Sequence, residues 1–283
     1  MVMASAELDR AAMRILIRTS KWAIWARRLG SLAVPLTIIP VFMHRAQMVS
    51  SGDFAVIEAV AAGLATLAVI LALGAFVRLW ITGDRGWGRA VWGLIFGGLC
   101  LLPFAWLATE AARYPLVNEV STDIFDPLPL SSPIRVAPTS AALREKTAAT
   151  FPNARTRSYP VDATDMFTIV ADLVTARGWE VRMRRAPPTA LDSGQLNAIA
   201  VSLLGWRDEV AIRVTGTSQG SVIDMRSVPL SEGHDFGENG RRVEEFLLAL
   251  DQKITLTLRD TPQTAAPADS ETPPAPAADE EDD

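Results

Sequence analysis

The chain holds one cysteine, Cys100, and two histidines, His44 and His234. A single thiol excludes an internal disulfide, and no cysteine cluster exists to hold a structural zinc. His234 has no second histidine near it, so neither a metal site nor any other cofactor is expected. Long apolar runs are missing after about residue 110. From Tyr114 to Asp260 basic residues do not outnumber acids, which excludes the broad basic face that nucleic acid requires. Residues 261–283 contain no large apolar side chain and no base, only Pro, Ala, Thr, Ser, Gln and seven acids. Such a stretch cannot offset its ordering entropy by burial and is predicted to be a disordered acidic tail. Its charge exceeds the whole net charge of −5, so the rest of the chain is close to neutral.

What the chain does have is three long apolar runs in its first 110 residues. A bilayer core about 30 Å thick needs roughly 20 apolar residues per spanning helix. Ala90–Thr109 carries no charge, and Val56–Val77 carries only Glu58 near its start. The first run, Leu29–Met43, reaches spanning length when Ile24–Ala26 join it and Arg27 and Arg28 reach toward the headgroups. Pro35 and Pro40 are expected to kink it. Soluble core helices are apolar all round too, but they are usually shorter and seldom come three in succession. Six of the eight tryptophans lie in this half, several near the ends of the runs, where indoles favour the interface. Three transmembrane helices are therefore expected, at about residues 24–44, 55–78 and 89–110.

Lysine and arginine set the orientation. Arg10, Arg14, Arg18, Lys21, Arg27 and Arg28 precede or open the first run, and Arg78, Arg85 and Arg89 separate the second and third. Only Arg45 lies between the first and second. Three spans put both basic segments on one side, the cytoplasm, with the C-terminal domain on the other. Residues 1–23 then form a basic cytoplasmic segment. Leu8, Ala11, Ala12, Ile15 and Leu16 recur at helical spacing within it, which suits a surface helix or a simple topology flank. No cleavage site is evident, so the first span serves as an uncleaved anchor. Glu58 falls near the outer boundary, at a hydrated depth. Gly93, Gly97 and Gly98 offer a close-packing helix surface, a route to homo-oligomers.

Residues 114–157 read as an extended arm, with a helical turn or two at Ala141–Thr150. An α+β domain over 158–260 follows. It begins with a short strand at Ser158–Val161 and a helix capped by Asp162 or Thr164, with Met166, Ile169, Val170, Leu173 and Val174 on its apolar face. After Gly178 the period changes to two. Trp179, Val181 and Met183 alternate with Glu180, Arg182 and Arg184 as a half-buried strand. Leu196–Leu204 is a second strand, and Val210, Ile212 and Val214 mark a third. A turn at Thr217–Gly220 leads to a fourth, in which Ile223 and Met225 point inward. The last helix, about Asn239–Thr257, buries Val243, Phe246, Leu247, Leu250 and Ile254. The order β-α-β-β-β-β-α predicts an antiparallel sheet with helices on one face, a helix-grip-like arrangement.

One polar constellation stands out. Asp224 and Arg226 are neighbours on one strand face, and Arg213 belongs to the same face of the paired strand. Ser227 follows, then a loop with His234 and Asp235, and Asn239 is placed to cap the last helix. One reading is an anion or polar headgroup held by Arg213, Arg226 and the helix end. The other is an Arg–Asp lattice tying loop to sheet. His234 with Asp235 forms a candidate general-base pair, but no motif places a nucleophile beside it, and no catalytic residue is assigned.

Several motifs in 118–250 resemble the domain of unknown function 1499 family of bacterial membrane-associated proteins. Val120-Ser121-Thr122-Asp123 with Asp126-Pro127 is similar to the family's opening motif, and Gly178-Trp179-Glu180 follows the first helix as in relatives. Gly205-Trp206-Arg207-Asp208-Glu209 with Ile212-Arg213-Val214 resembles its central hairpin. Asp224-Met225-Arg226-Ser227, then Asp235, Gly237, Asn239 and Arg242, resembles its C-terminal signature. Two positions depart from the pattern: Val228-Pro229 replaces a second Ser-Arg pair, and His234 replaces a small hydroxyl residue. The resemblance implies the same α+β domain in a bacterial membrane protein and supplies no activity. Together with the lysine and arginine bias it leads to the expectation of an inner-membrane protein with its N-terminus cytoplasmic and its domain periplasmic. The expected function is a binding or scaffold module of the cell envelope, in contact with the lipid bilayer and with an envelope protein or lipid headgroup. The rival is an envelope hydrolase or isomerase using His234 and Asp235.

Overall fold

The computed structural model describes residues 18–116, 119–132, 140–231 and 234–260. The surface-helix expectation for the first residues and the disordered-tail expectation for 261–283 lie outside them. Three helices open the described chain: α1 (Lys21–Arg45), α2 (Ser51–Thr82) and α3 (Trp87–Arg113). Each is long and apolar enough to cross a membrane. Their mutual faces are lined by small residues: Ala23, Ala26 and Ala33 of α1, Ala61, Ala65, Ala68, Ala72 and Ala75 of α2, and Ala90 of α3 are all fully buried. Small side chains let the backbones come close, which is how helices gain packing without a water-driven term. Gly93 and Gly97 serve this same interface, against Ala26 and Ala65, whereas Gly98 faces open space. At one end of the bundle Ser20 N–H donates to the Arg85 carbonyl and Arg85 N–H to that of Arg18, so the start of α1 meets the α2–α3 turn. The opposite end carries the rest of the protein.

That remainder is an α+β domain: β1 (Val120–Ser121), α4 (Ala141–Thr150), β2 (Arg157–Tyr159), α5 (Ala163–Ala176), β3 (Glu180–Arg185), β4 (Ser193–Val201), β5 (Arg207–Thr217), β6 (Gly220–Pro229) and α6 (Glu238–Asp260). The sheet is antiparallel throughout, in the order β1-β6-β5-β4-β3, and β2 shares the β6 edge with β1. The antiparallel α+β expectation holds. Helices α5 and α6 cover one face, where Leu196, Ala198, Val210, Ile212, Val214, Ile223 and Met225 meet Met166, Val170, Val174 and the whole stripe Val243, Phe246, Leu247, Leu250 and Ile254. Asp162 caps α5 by accepting the N–H groups of Thr164 and Asp165.

Two elements differ from the sequence reading. β3 is not half-buried: Val181 is 43% exposed, because β3 is an edge strand and its register slips between Val181 and Met183, which spoils the period-two alternation. Leu203 and Leu204 leave the second strand. They form, with Ser202, Gly205 and Trp206, a turn that reaches toward the helices.

Candidate functional site

Alternation along β5 and β6 splits the predicted constellation between the two faces of the sheet. Arg213, Asp224 and Arg226 lie on the face away from α5 and α6, and Ser227 lies on the helix side. The polar face is not open. Residues 119–132, running out of β1, cross it as a strap. Arg213 donates to Asp126 at 2.6 Å, to Asp123 at 3.0 Å and to its register partner Asp224 at 3.2 Å. Arg226 donates to both the Glu119 carboxylate and, at 2.7 Å, the Leu128 carbonyl. Asp224 also accepts from Thr122 and Thr156. Farther along, Gln195 and Asn197 donate to the Pro129 carbonyl, and fully buried Glu209 accepts from Asn197, Ser131 and Ser132.

These bonds set the charges of the strap. Burial works against the Arg213 cation, but hydrogen bonds to Asp126 and Asp224 hold it above its ordinary value. Asp123 is held below the usual carboxylate range, chiefly by the Asp126 N–H and then by Phe125 N–H and Arg213. Burial pushes Glu209 up, and the bonds from Asn197, Ser131 and Ser132 more than reverse it. The lattice reading therefore describes Arg213 and Arg226, with one correction. What they tie down is the segment before α4, not the loop after β6.

On the helix side Ser227 donates to Asn239 at 2.6 Å, and Arg242 donates to both Ser227 and Asn239. Arg242 also forms a buried ion pair with Asp208 at 2.7 Å. Burial pushes Asp208 up to about 6, against the pull of Arg242. Asn239 does not cap α6. Asp235 does so, accepting the N–H groups of Gly237 and Asn239, because a carboxylate at a helix start satisfies two donors and complements the helix dipole. The α6 start and the Arg213–Arg226 pair thus lie on opposite faces and do not form one site.

His234 stands at the edge of a third region, the seam between helices and domain, which the sequence reading did not propose as a site although its Gly205-Trp206 motif lies there. Here the α1–α2 turn grips the β4–β5 turn. His44 is 2% exposed; one ring nitrogen pairs with the Leu204 carbonyl at 2.8 Å, the other with the Ser51 hydroxyl at 3.0 Å. Its ring stacks on Phe54 at 4.5 Å, and Trp206 packs edge-on against both. Arg45 donates to the carbonyls of Ser202 and Leu203. Gly205, at φ +94°, admits this approach, since a Cβ there would stand 2.7 Å from the Arg45 backbone nitrogen. A second junction joins α3 to α6. Arg241 pairs with Glu110 at 2.9 Å and covers the Tyr114 ring, which stacks on Phe151.

Around the seam three cavities adjoin. An apolar one of about 480 Å³ lies among α1, α2 and α3 under Leu204, Trp206 and Phe236. Glu58 is among its lining residues, and its Oε1 is buried with no hydrogen-bond partner among the described residues. A cavity of about 410 Å³, polar by its side chains though most of its wall is apolar, shares Ala55, Trp206 and Phe236 with it and adds Ser51, Ser202, Asp208, His234, Asp235 and Glu238. A cleft of about 660 Å³ shares Ser51 and Ser231 with the polar cavity and is lined by Arg182 and Arg207. Phe236 has φ +52°, a left-handed conformation unusual for an aromatic residue. Its ring stacks on His234 at 4.9 Å and leans on Trp206, so this strained turn delivers an aromatic wall to two cavities at once. His234 Nδ1 accepts from Phe236 N–H at 2.9 Å. Among the described residues no group of three or more His, Cys, Asp or Glu could hold a metal.

Comparison with known proteins returns one relationship. Neither a curated protein nor a solved structure matches the chain. Residues 119–250, from the start of the strap to the middle of α6, match the family described as Protein of unknown function (DUF1499). That span holds the strap, the whole sheet and Arg242, and so the motifs that suggested the family are those that build these contacts. The domain carried on the three apolar helices is thus similar to the DUF1499 family over residues 119–250.

Proposed function

We propose that this protein is a membrane-anchored binding module of the bacterial cell envelope, and that its ligand is an amphiphile taken at the seam. One observation carries the reading: an apolar cavity among membrane-length helices adjoins a polar cavity of the domain, with Ala55, Trp206 and Phe236 common to both. Hydrocarbon suits the first, and a head group with hydroxyls or other donors suits the second. The charge bias supports an inner-membrane topology with the N-terminus and the α2–α3 turn cytoplasmic, and hence a periplasmic domain. In that orientation the seam stands at the outer surface of the bilayer, where an amphiphile is at hand.

The strap weighs against the face around Arg213 and Arg226 as the binding surface, since its guanidinium groups already serve the chain itself. An enzyme using His234 and Asp235 has less support. His234 Nδ1 accepts from Phe236 N–H and stands 3.8 Å from Asp235 Oδ1, beyond hydrogen-bond distance, while Asp235 caps α6, so the two do not form a base and orienter pair. Native mass spectrometry of the full-length protein, extracted in mild detergent, tests the proposal. A retained mass of lipid size is expected in the wild type and lost in Ala55→Trp, which fills the shared wall. An Ala55→Trp protein that keeps the adduct, or a wild type that never carries one, overturns it.

A further inference from the structure

We infer that the cleft bounded by Arg182 and Arg207 is a phosphoryl-binding subsite. Four observations converge on it. Arg182 and Arg207 are the only charged side chains among its described lining residues, and Ser51, Ser132 and Ser231 add hydroxyls. Arg207 Nε is buried and has no hydrogen-bond partner among the described residues, whereas Arg213 and Arg226 are filled by the strap. That Nε is closed off from the cleft, so the guanidinium offers its terminal N–H groups to it. Among the described residues both guanidiniums meet only Glu180, whose side chain is 56% exposed. Such exposed pairs are weak and leave the remaining N–H groups available. Finally, Ser51 is the first residue of the 32-residue α2, so the positive end of a long helix borders the cleft.

Two guanidiniums, a helix start and several hydroxyls match a tetrahedral anion with three acceptor oxygens better than a planar carboxylate. The cleft shares Ser51 and Ser231 with the polar cavity, so a phosphoryl group here continues toward the amphiphile site. The subsite stands on its own geometry; only the lipid origin of the phosphoryl group rests on the amphiphile reading.

The test uses delipidated full-length protein in detergent with two probes. Sodium phosphate, against sodium chloride at equal ionic strength, is followed by thermal unfolding. Phosphatidylglycerol, against diacylglycerol, is followed by native mass spectrometry. We expect phosphate to raise the unfolding temperature of the wild type but not of Arg182→Gln/Arg207→Gln. Phosphatidylglycerol should bind that double variant at least about tenfold more weakly, the loss of one charge-assisted contact. Arg207→Lys keeps the charge and should recover part of both effects. Arg182 is exposed enough that Arg182→Gln alone answers the question if the double variant does not fold. An arginine-dependent phosphate response without preference for phosphatidylglycerol supports the subsite with a soluble phosphate ester as its source. Lipid bound equally by wild type and double variant overturns the subsite and leaves the amphiphile reading standing. Absence of any arginine-dependent response to either probe also overturns it.

Discussion

The polar face of the sheet and the seam at its helix-facing end are both rich in arginine and hydroxyls, yet they are built to opposite ends. On the sheet face every donor of the Arg213–Arg226 pair that the geometry reveals meets an acceptor from the chain: Glu119, Asp123, Asp126, Asp224 and the Leu128 carbonyl. At the seam Arg207 Nε and Glu58 Oε1 are buried without partners among the described residues, beside cavities. Saturation marks structure, whereas Arg182 and Arg207, paired with the exposed Glu180, keep terminal N–H groups for something else. The polar pair Arg213 and Arg226 thus holds the fold, and the open chemistry lies at the seam, to which the Gly205–Glu209 motif contributes Trp206 and Arg207.

Substitutions can break or sharpen this contrast, beginning with the most severe. Arg242→Ala strands the buried Asp208 carboxylate and should cost about 3–5 kcal/mol, read from denaturant unfolding. Arg226→Ala should cost less, about 1.5–3 kcal/mol, the range of hydrogen bonds to charged groups. It should also abolish hydrogen-exchange protection in residues 119–132 while leaving a seam ligand in place. If the ligand is lost and the strap stays protected, the contrast is wrong.

Acidity separates the two regions by sign. Asp123 and Glu209 sit below their ordinary values of 3.8 and 4.5, so their contribution to the strap is fully present above those values and is lost as pH falls through the lower folded ones. Asp208 is raised to about 6 by burial, so proton uptake favours the folded state and its contribution grows as pH falls from 6 toward 3.8. Strap protection should therefore persist from neutrality down to the ordinary carboxylate range and weaken only as the pH falls below it. A carboxyl titrating near 6 should appear in difference infrared spectra and vanish in Asp208→Asn. The smallest effect on stability is expected at the open site, where Arg207→Gln should change it by no more than about 0.5 kcal/mol, because its partner Glu180 is exposed.

Much of this architecture was legible because it is periodic. The stripe Val243–Phe246–Leu247–Leu250–Ile254 and the alternation of Val210, Ile212 and Val214 each follow from one element facing one core. Arg213 and Asp224 were readable as cross-strand neighbours for the same reason. The strap was not, because 119–132 has no period. Its hold on the sheet comes from carboxylates and carbonyls whose partners lie roughly 70 to 110 residues away. Nor was the seam. His44 and the Leu204 carbonyl are 160 residues apart, and the two cavities exist only once the α1–α2 turn and the β4–β5 turn have met. β3 misled for a local reason, since a bulge at an edge strand preserves the alternating sequence while removing the buried face.

Photocrosslinking in native membranes tests the central claim most directly, with benzoylphenylalanine placed at Phe236 and, in a second protein, at the exposed strap residue Ile124. The account predicts a lipid-sized adduct on the Phe236 probe and none on the Ile124 probe. An adduct on Ile124, or a Phe236 probe that captures no amphiphile, would contradict it.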